Sequence, residues 1–437
     1  MGCRTAHSPI CRGPVKSLST LFPECPSRLL TRRRLFGAAV GLGALGALSA
    51  CSPTGQGVTP AGPGKLKIQA GDDEIPGLTK IAERFTKSTG VTVEFIEREI
   101  NAQTISDFIA QAPMGQGVDI LISPHDNLGQ LATNGVVASV EMGDREEGFT
   151  ENARSAVKYD GVNYAVPYAV ECVALVRNDD LTDATPTSFD DLRRIGHRLM
   201  EREGLSYPFA IPQSATSGDP YHLYAIQTSF GAEVFKRTGA GEYLPELTMG
   251  GKSGAEFARY LADLGESGDL RTSMSPDIAT QAFSSGETAF LIGGPWLLPV
   301  FEEAGMNCTV LPVPAAGEEE ARPFAGVQAF FVNAFAQNPV AAQDFVTNWL
   351  TLDESQTDMY ESTGRPPASN ATIARMEGDP LRSAYAQIAK DALPMPAIPA
   401  MGAVWSFWGT AENAIVDGRG EPAQVWEDMI KNIEGQI

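Results

Sequence analysis

The sequence runs to 437 residues, 43% of them hydrophobic, with 33 basic against 54 acidic side chains and a net charge of −21. So large an excess of carboxylates repels the phosphates of nucleic acid and, beyond the reach of any lipid anchor, an anionic membrane surface. The chain is too long for one ordinary core and suits two lobes.

In chain order, the first element belongs to neither lobe. Residues 31–51, TRRRLFGAAVGLGALGALSAC, set an arginine cluster before a short apolar run and a small-residue approach to cysteine, the order of an export signal. The apolar part, 35–50, is rich in Gly and Ala and falls short of the roughly 20 strongly apolar residues that a spanning helix needs. Thr31-Arg32-Arg33-Arg34-Leu35-Phe36 resembles the twin-arginine export motif, and Leu48-Ser49-Ala50-Cys51 resembles a lipoprotein cleavage and lipidation site. The sequence thus predicts a cleaved leader, 1–50, and a mature protein that starts at a lipidated Cys51 and is held outside the cytoplasm at the cell membrane by that lipid only. An uncleaved anchor helix is the alternative. The leader carries seven Lys/Arg and one acid, so the mature 387 residues keep 26 basic and 53 acidic side chains, a net of −27. Gly41-Leu42-Gly43-Ala44-Leu45-Gly46 fits G-x-G-x-x-G, but it follows no strand and lies inside the leader, so it is no dinucleotide site.

Residues 51–64, rich in Gly, Pro, Ser and Thr, read as a flexible tether. A strand is expected at 65–70. A helix follows, with Ile75, Leu78, Ile81, Ala82 and Phe85 at helical spacing and Gly90 as its stop. Strand at 91–96, helix at 105–112, strand at 118–122 and helix at 128–133 continue the β/α alternation of a layered α/β lobe, whose strand ends make ligand crevices. One long extended run spans 165–177, interrupted by Pro167 and Glu171. Helices at 189–203, 223–230 and 253–265 come next.

Motifs of ordinary enzymes are scarce. The histidines after the leader, His125, His197 and His222, stand in no H-E-x-x-H and beside no cysteine pair, so no metal and no cofactor is expected. Gly251-Lys252-Ser253 ends like a phosphate loop, yet Glu246 stands where that motif needs Gly; Ala255 likewise spoils a G-x-S-x-G elbow. A helix start is the better reading. Cys3, Cys11 and Cys25 leave with the leader. Cys172 and Cys308 then either form a disulfide, which an extracytoplasmic compartment permits, or stay as two buried free thiols.

Aromatic and carboxylate chemistry stands out instead: Gly293-Gly294-Pro295-Trp296, Asp219-Pro220-Tyr221, Met395-Pro396-Ala397-Ile398-Pro399, and Trp405 with Trp408. A pyranose offers a C–H face to an aromatic ring and a rim of hydroxyls to acceptors and donors. Trp349 and Trp426 sit in ordinary amphipathic patterns and read as core.

The stretch Phe283-Ser-Ser-Gly-Glu-Thr-Ala-Phe-Leu-Ile-Gly-Gly-Pro-Trp296 resembles the signature region of maltose/maltodextrin-type solute-binding proteins of ABC importers. Residues 81–93, Asp119-Ile-Leu-Ile, His125-Asp126, Ala165-Val-Pro-Tyr-Ala-Val-Glu171 and Met395–Pro399 fall in the same family's order. The resemblance implies an α/β, two-lobed periplasmic-binding-protein-like fold with hinge-linked lobes and a central ligand cleft. The first lobe would take 65–170 and 327–373, the second 172–326 and 374–437, with hinge strands around Glu171 and at 324–327. It further implies a monomeric, non-enzymatic receptor that captures a short oligosaccharide by lobe closure and delivers it to permease subunits. By the same resemblance Asp72, Asp126 and Glu171 accept sugar hydroxyls, Asp219 and Tyr221 match a Glu-Pro-Tyr segment, Met395 lies in a matched cleft segment, and Trp296 and Trp405 are stacking rings. Asp73 replaces a lysine, Ser123 a tryptophan, Asn127 an arginine and Ser406 a tyrosine of the maltodextrin binders, which shifts the expectation toward a disaccharide or another short α-linked glycan. Trp408 is a candidate replacement ring. For Asp72 a helix cap competes with the cleft role. A secreted glycan hydrolase working through paired carboxylates is the alternative function.

Overall fold

The computed structural model describes residues 64–437 apart from 99–100, 240–241 and 377. The export motif, the leader and Cys51 lie outside the described residues. The strands are β1 (Lys65–Ala70), β2 (Thr92–Glu97), β3 (Ile120–Pro124), β4 (Lys158–Tyr159), β5 (Val162–Asn163), β6 (Ala165–Glu171), β7 (Ala174–Asn178), β8 (Phe235–Arg237), β9 (Tyr243–Leu247), β10 (Phe290–Gly293), β11 (Cys308–Leu311), β12 (Phe324–Val332) and β13 (Leu393–Pro394).

The first strand-helix unit follows its sequence closely. Leu66, Ile68 and Ala70 of β1 are fully buried, and the helix Ile75–Thr89 buries Leu78, Ile81, Ala82 and Phe85 on one face. Gly90 ends it at φ 76°, a left-handed turn that costs a residue without Cβ little. β1 pairs in parallel with β2 and β3, while β12 runs antiparallel to β3 and β6. Right-handed β/α crossovers of this kind bring the chain back to the same sheet edge, so the loops after β1, β3 and β6 share one rim.

The extended run at 165–177 is two strands. β6 ends at Glu171 in the large sheet, and β7 joins β10 and β11 in a separate antiparallel sheet. The break at Cys172–Val173 is where the chain leaves one apolar core, centred on Ile68, Phe85 and Phe330, for another, built around Phe189, Phe257 and Trp408. The start of β12 and β13 lie beside it: Gly326 is in register with Glu171 and Phe324 with Leu393. Lobe-to-lobe crossings are thus gathered in one place.

Cys172 and Cys308 are free thiols. β11 does lie next to the chain that follows Cys172, but its register pairs Cys308 with Asn178, at the far end of β7. Six residues of strand, about 20 Å, therefore separate the two sulfurs, beyond the reach of a disulfide. Burial pushes the Cys172 thiol up to about 12, so it stays protonated, and its Sγ donates to the Tyr385 carbonyl at 3.7 Å. Gly251-Lys252-Ser253 opens the helix Gly251–Glu266.

Candidate functional site

A cavity of about 1160 Å³ opens along the shared rim. One wall carries Asn101, Gln103, Ser106, Asp126, Asn127 and Gln130, and the other carries the loop 213–221 with Thr272, Ser273, Ser275 and Asp277. Glu171, Gln328 and Met395 close the hinge end, and Trp405 and Ser406 come from the helix Met401–Val416.

Asp126 follows β3, in a single 3-10 turn whose three residues are all buried. Its Oδ2 accepts a hydrogen bond from Trp405 Nε1 at 3.0 Å, and Asn127 Nδ2 donates to Oδ1 at 3.4 Å. Burial pushes the Asp126 carboxyl up to about 7, opposed by the indole N–H. The same burial holds His125 down to about 4. His125 Nδ1 accepts the Val327 N–H at 3.0 Å, which places the proton of the neutral ring on Nε2. Trp405 itself is half-buried, and its ring stacks on Trp408 at 5.5 Å and 15°. One indole thus shows the cleft a face while its edge fixes a carboxyl across the gap.

The hinge end is a braced cluster of charges. Arg365 donates from Nε to Glu171 Oε2 at 2.6 Å and from its other end to the Asp73 carboxylate, and its guanidinium lies 5.9 Å from the Trp296 ring centroid. Gln328 Nε2 holds the second Glu171 oxygen at 2.7 Å. Behind them, Tyr168 and the Gly71 N–H both donate to the buried Glu74. Burial raises the Glu74 carboxyl, while Arg365 pulls it down. Arg365 is set by its neighbours: Gly364 ends the preceding helix at φ 66°, and Pro366-Pro367 keeps the chain extended.

The opposite wall holds no such brace. Asp219 caps the helix Pro220–Thr228 by accepting the His222 N–H, and its other oxygen contacts His222 Nδ1 at 2.8 Å. Ser214, Thr216 and Ser217 bond among themselves in an exposed turn. That turn is fixed by two glycines back to back: a Cβ on Gly218 would fall 2.3 Å from the Gly409 carbonyl oxygen, and one on Gly409 would fall 1.8 Å from that of Ser217.

Of the residues expected from sequence, Asp126, Glu171, Asp219, Tyr221, Met395 and Trp405 line this cavity together. Trp296 flanks it, half-buried, at 6.2 Å from the Tyr221 ring and 6.0 Å from His222. Two expectations fail. Trp408 is fully buried, with Nε1 donating to Gln227 at 3.1 Å, because it faces the core side of the helix that presents Trp405. Asp72 is exposed and turns back on the Asp73 N–H; Glu74 is the N-cap, and it makes no side-chain cap bond. Trp426 is core, as read, and Trp349 packs edge-on against Phe85 at 5.6 Å. Sequence reasoning passed over Arg365, Gln328, Gln213 and the serine turn. Only Arg365 left a trace, as a cation between a helix-ending glycine and two prolines.

Residues 80–386 match the family described as bacterial extracellular solute-binding protein. The chain belongs to that family. A maltodextrin-binding protein of Bacillus subtilis, MdxE, is 27% identical to this solute-binding protein over 85% of its chain and 88% of its own. A maltooligosaccharide ABC transporter solute-binding lipoprotein of Streptococcus pneumoniae is 27% identical over 69% and 72%. Among solved structures, Thermus thermophilus maltotriose binding protein bound with maltotriose superimposes with a TM-score of 0.76 at 27% identity, over 85% of this chain and 99% of that one. The two-lobed fold follows from that likeness. The family is one of binding proteins, and the hydrolase alternative falls with it.

Proposed function

We propose that this protein captures a short neutral oligosaccharide, maltose- or maltodextrin-like or of another α-linked kind, and delivers it to an ABC importer. The observation that carries the reading is Trp405, whose half-buried ring faces the cleft while its N–H holds Asp126. Around this pair the walls supply amides and hydroxyls, the complement of a sugar's rim. The cavity, at about 1160 Å³, exceeds the roughly 300–1,000 Å³ of ordinary small-molecule pockets, which favours more than one ring. Two of the acids here are compensated, Glu171 by Arg365 and Asp219 by His222 and a helix terminus, and burial favours the neutral form of Asp126. A neutral ligand suits such walls better than an ionic one.

In this reading the lobes are 65–170 with 327–373 and 172–326 with 374–437, a monomer closes over the sugar at the strands around Glu171 and Phe324, and lipidated Cys51 holds it at the membrane. Sugar touching both lobes stabilises the closed form by its differential affinity. Calorimetric titration of mature protein with glucose, maltose, maltotriose and non-glucose disaccharides tests it. Oligosaccharides are expected to bind at least roughly tenfold more tightly than glucose, with no hydrolysis products. No binding heat from any neutral oligosaccharide would refute the reading. Cys51→Ser is expected to abolish fatty-acid labelling and membrane retention.

A further inference from the structure

The end of the large sheet opposite the cleft carries a group of exposed apolar side chains. β1 and β3 start there and β12 ends there. Met114 is 62% exposed, Phe335 44% and Val340 81%. They stand on the loop 112–118 and on 333–341, a loop that runs into the first turn of the helix Pro339–Asp344. Neither contains a charged residue, Asp119 is buried against the second with its Oδ1 accepting the Gln337 N–H at 2.8 Å, and the exposed charges nearby in β1 are Lys65 and Lys67. Gln337 Nε2 joins the loops by donating to the Gly115 carbonyl at 3.0 Å. Gly64 seats on the same corner: its carbonyl accepts the Thr92 N–H at 3.2 Å, and a Cβ on it would fall 2.2 Å from Asn338 Nδ2.

Gly64 is also where the chain arrives from Cys51, thirteen residues earlier. At no more than about 3.6 Å per residue, that length keeps this corner within roughly 45 Å of the anchor, closer along the chain than any other surface of the body. We propose that the anchored protein rests on the lipid bilayer by this face, with Met114, Phe335 and Val340 at the headgroup boundary. The inference relies on the lipid at Cys51 put forward above. Tethering makes a weak apolar contact intramolecular, so three side chains suffice where a free protein would need a larger patch. With Asp119 buried and Glu94 paired to Lys65, this corner meets less of the repulsion that the acidic body meets elsewhere at a bilayer. Since the sugar site lies at the other ends of β1, β3 and β6, a protein resting this way holds its cleft away from the membrane, open to the medium. Handing over the sugar then requires it to turn on its tether.

Tryptophan reporters test the posture in full-length lipidated protein inserted into phosphatidylcholine vesicles with or without brominated acyl chains. The emission added by Val340→Trp, and separately by Met114→Trp, is expected to fall by about half or more in brominated vesicles, while that added by Val300→Trp, on the second lobe, is unchanged. Equal quenching at all three positions, or none at any, overturns the proposal. So does a dimeric mass in solution that Phe335→Ser and Val340→Ser convert to a monomer, which would assign the face to a second copy. Sugar titration of the same variants reports separately on the binding function, and Cys51→Ser on the anchor.

Discussion

At the hinge end of the cleft, Arg365 is clamped between Asp73 and Glu171 under the Trp296 ring, and each Glu171 oxygen has a fixed donor. At the far end, Ser214, Thr216 and Ser217 satisfy one another in an exposed turn, and no cation lines the cavity among the described residues. The difference separates two jobs. Buried charges that hold one another resist rearrangement and fix direction, whereas exposed hydroxyls bend to whatever length of ligand reaches them.

The strongest way to break this comparison is Arg365→Ala. It leaves Asp73 and Glu171 without their cation beside buried Glu74, a situation that costs about 3–5 kcal/mol in other proteins, and denaturant unfolding without ligand is expected to show a loss of that order. A loss below about 1 kcal/mol would mean that the brace contributes little.

Asp126 sharpens the comparison by pH. Folded, it holds its proton up to about 7, whereas an unfolded aspartate releases it near 3.8, so between these values the folded state binds more protons. Wild type is therefore expected to lose stability relative to Asp126→Asn as pH rises from about 4 to about 7, and to lose no more above. His125 has the opposite sign: held at about 4, it contributes stability above 6.5 that is lost as pH falls toward 4. Unfolding midpoints of His125→Gln and Asp126→Asn across this range should diverge from wild type in opposite directions. Parallel curves would contradict the burial that sets both values.

Trp405→Ala removes a ring and the donor to Asp126, and an affinity loss of about 2 kcal/mol, roughly 30-fold, is expected by calorimetry. Trp405→Ala binding as tightly as wild type would displace the site from this cleft. At the far end, Ser214→Ala and Thr272→Ala are expected to cost about 0.5–1.5 kcal/mol each, and only for ligands of three or more rings. An equal loss with disaccharides would erase the distinction between the two ends.

The braced end was only half legible in the sequence. Glu171 and Asp126 are placed from sequence only by the resemblance of their segments to the maltodextrin binders, and the structure sets them at or just after the ends of β6 and β3, where crevices form in folds of this kind. Arg365 reaches Glu171 from nearly two hundred residues away, and nothing local to an arginine says which distant carboxylate it will meet. Trp405 and Trp408 show the same limit. Three residues apart on a helix they share a side, yet one meets the gap and the other the core, a division set by what packs against the helix and not by spacing. The first strand-helix units were read correctly because period, proline and glycine all agreed there. The interruption at Glu171 in the run at 165–177 is legible, but not that the two halves join different sheets, because a crossing between lobes keeps the backbone extended and changes only its partners.

The paired glycines at 218 and 409 carry a consequence for how such a receptor can diverge. Backbone touches backbone where the serine turn crosses the helix that presents Trp405, so the spacing of turn and ring has no side chain in it that could be lengthened or trimmed. A new preference has to be written in the residues that project into the opening, while the offset between the serine turn and Trp405 is inherited unchanged.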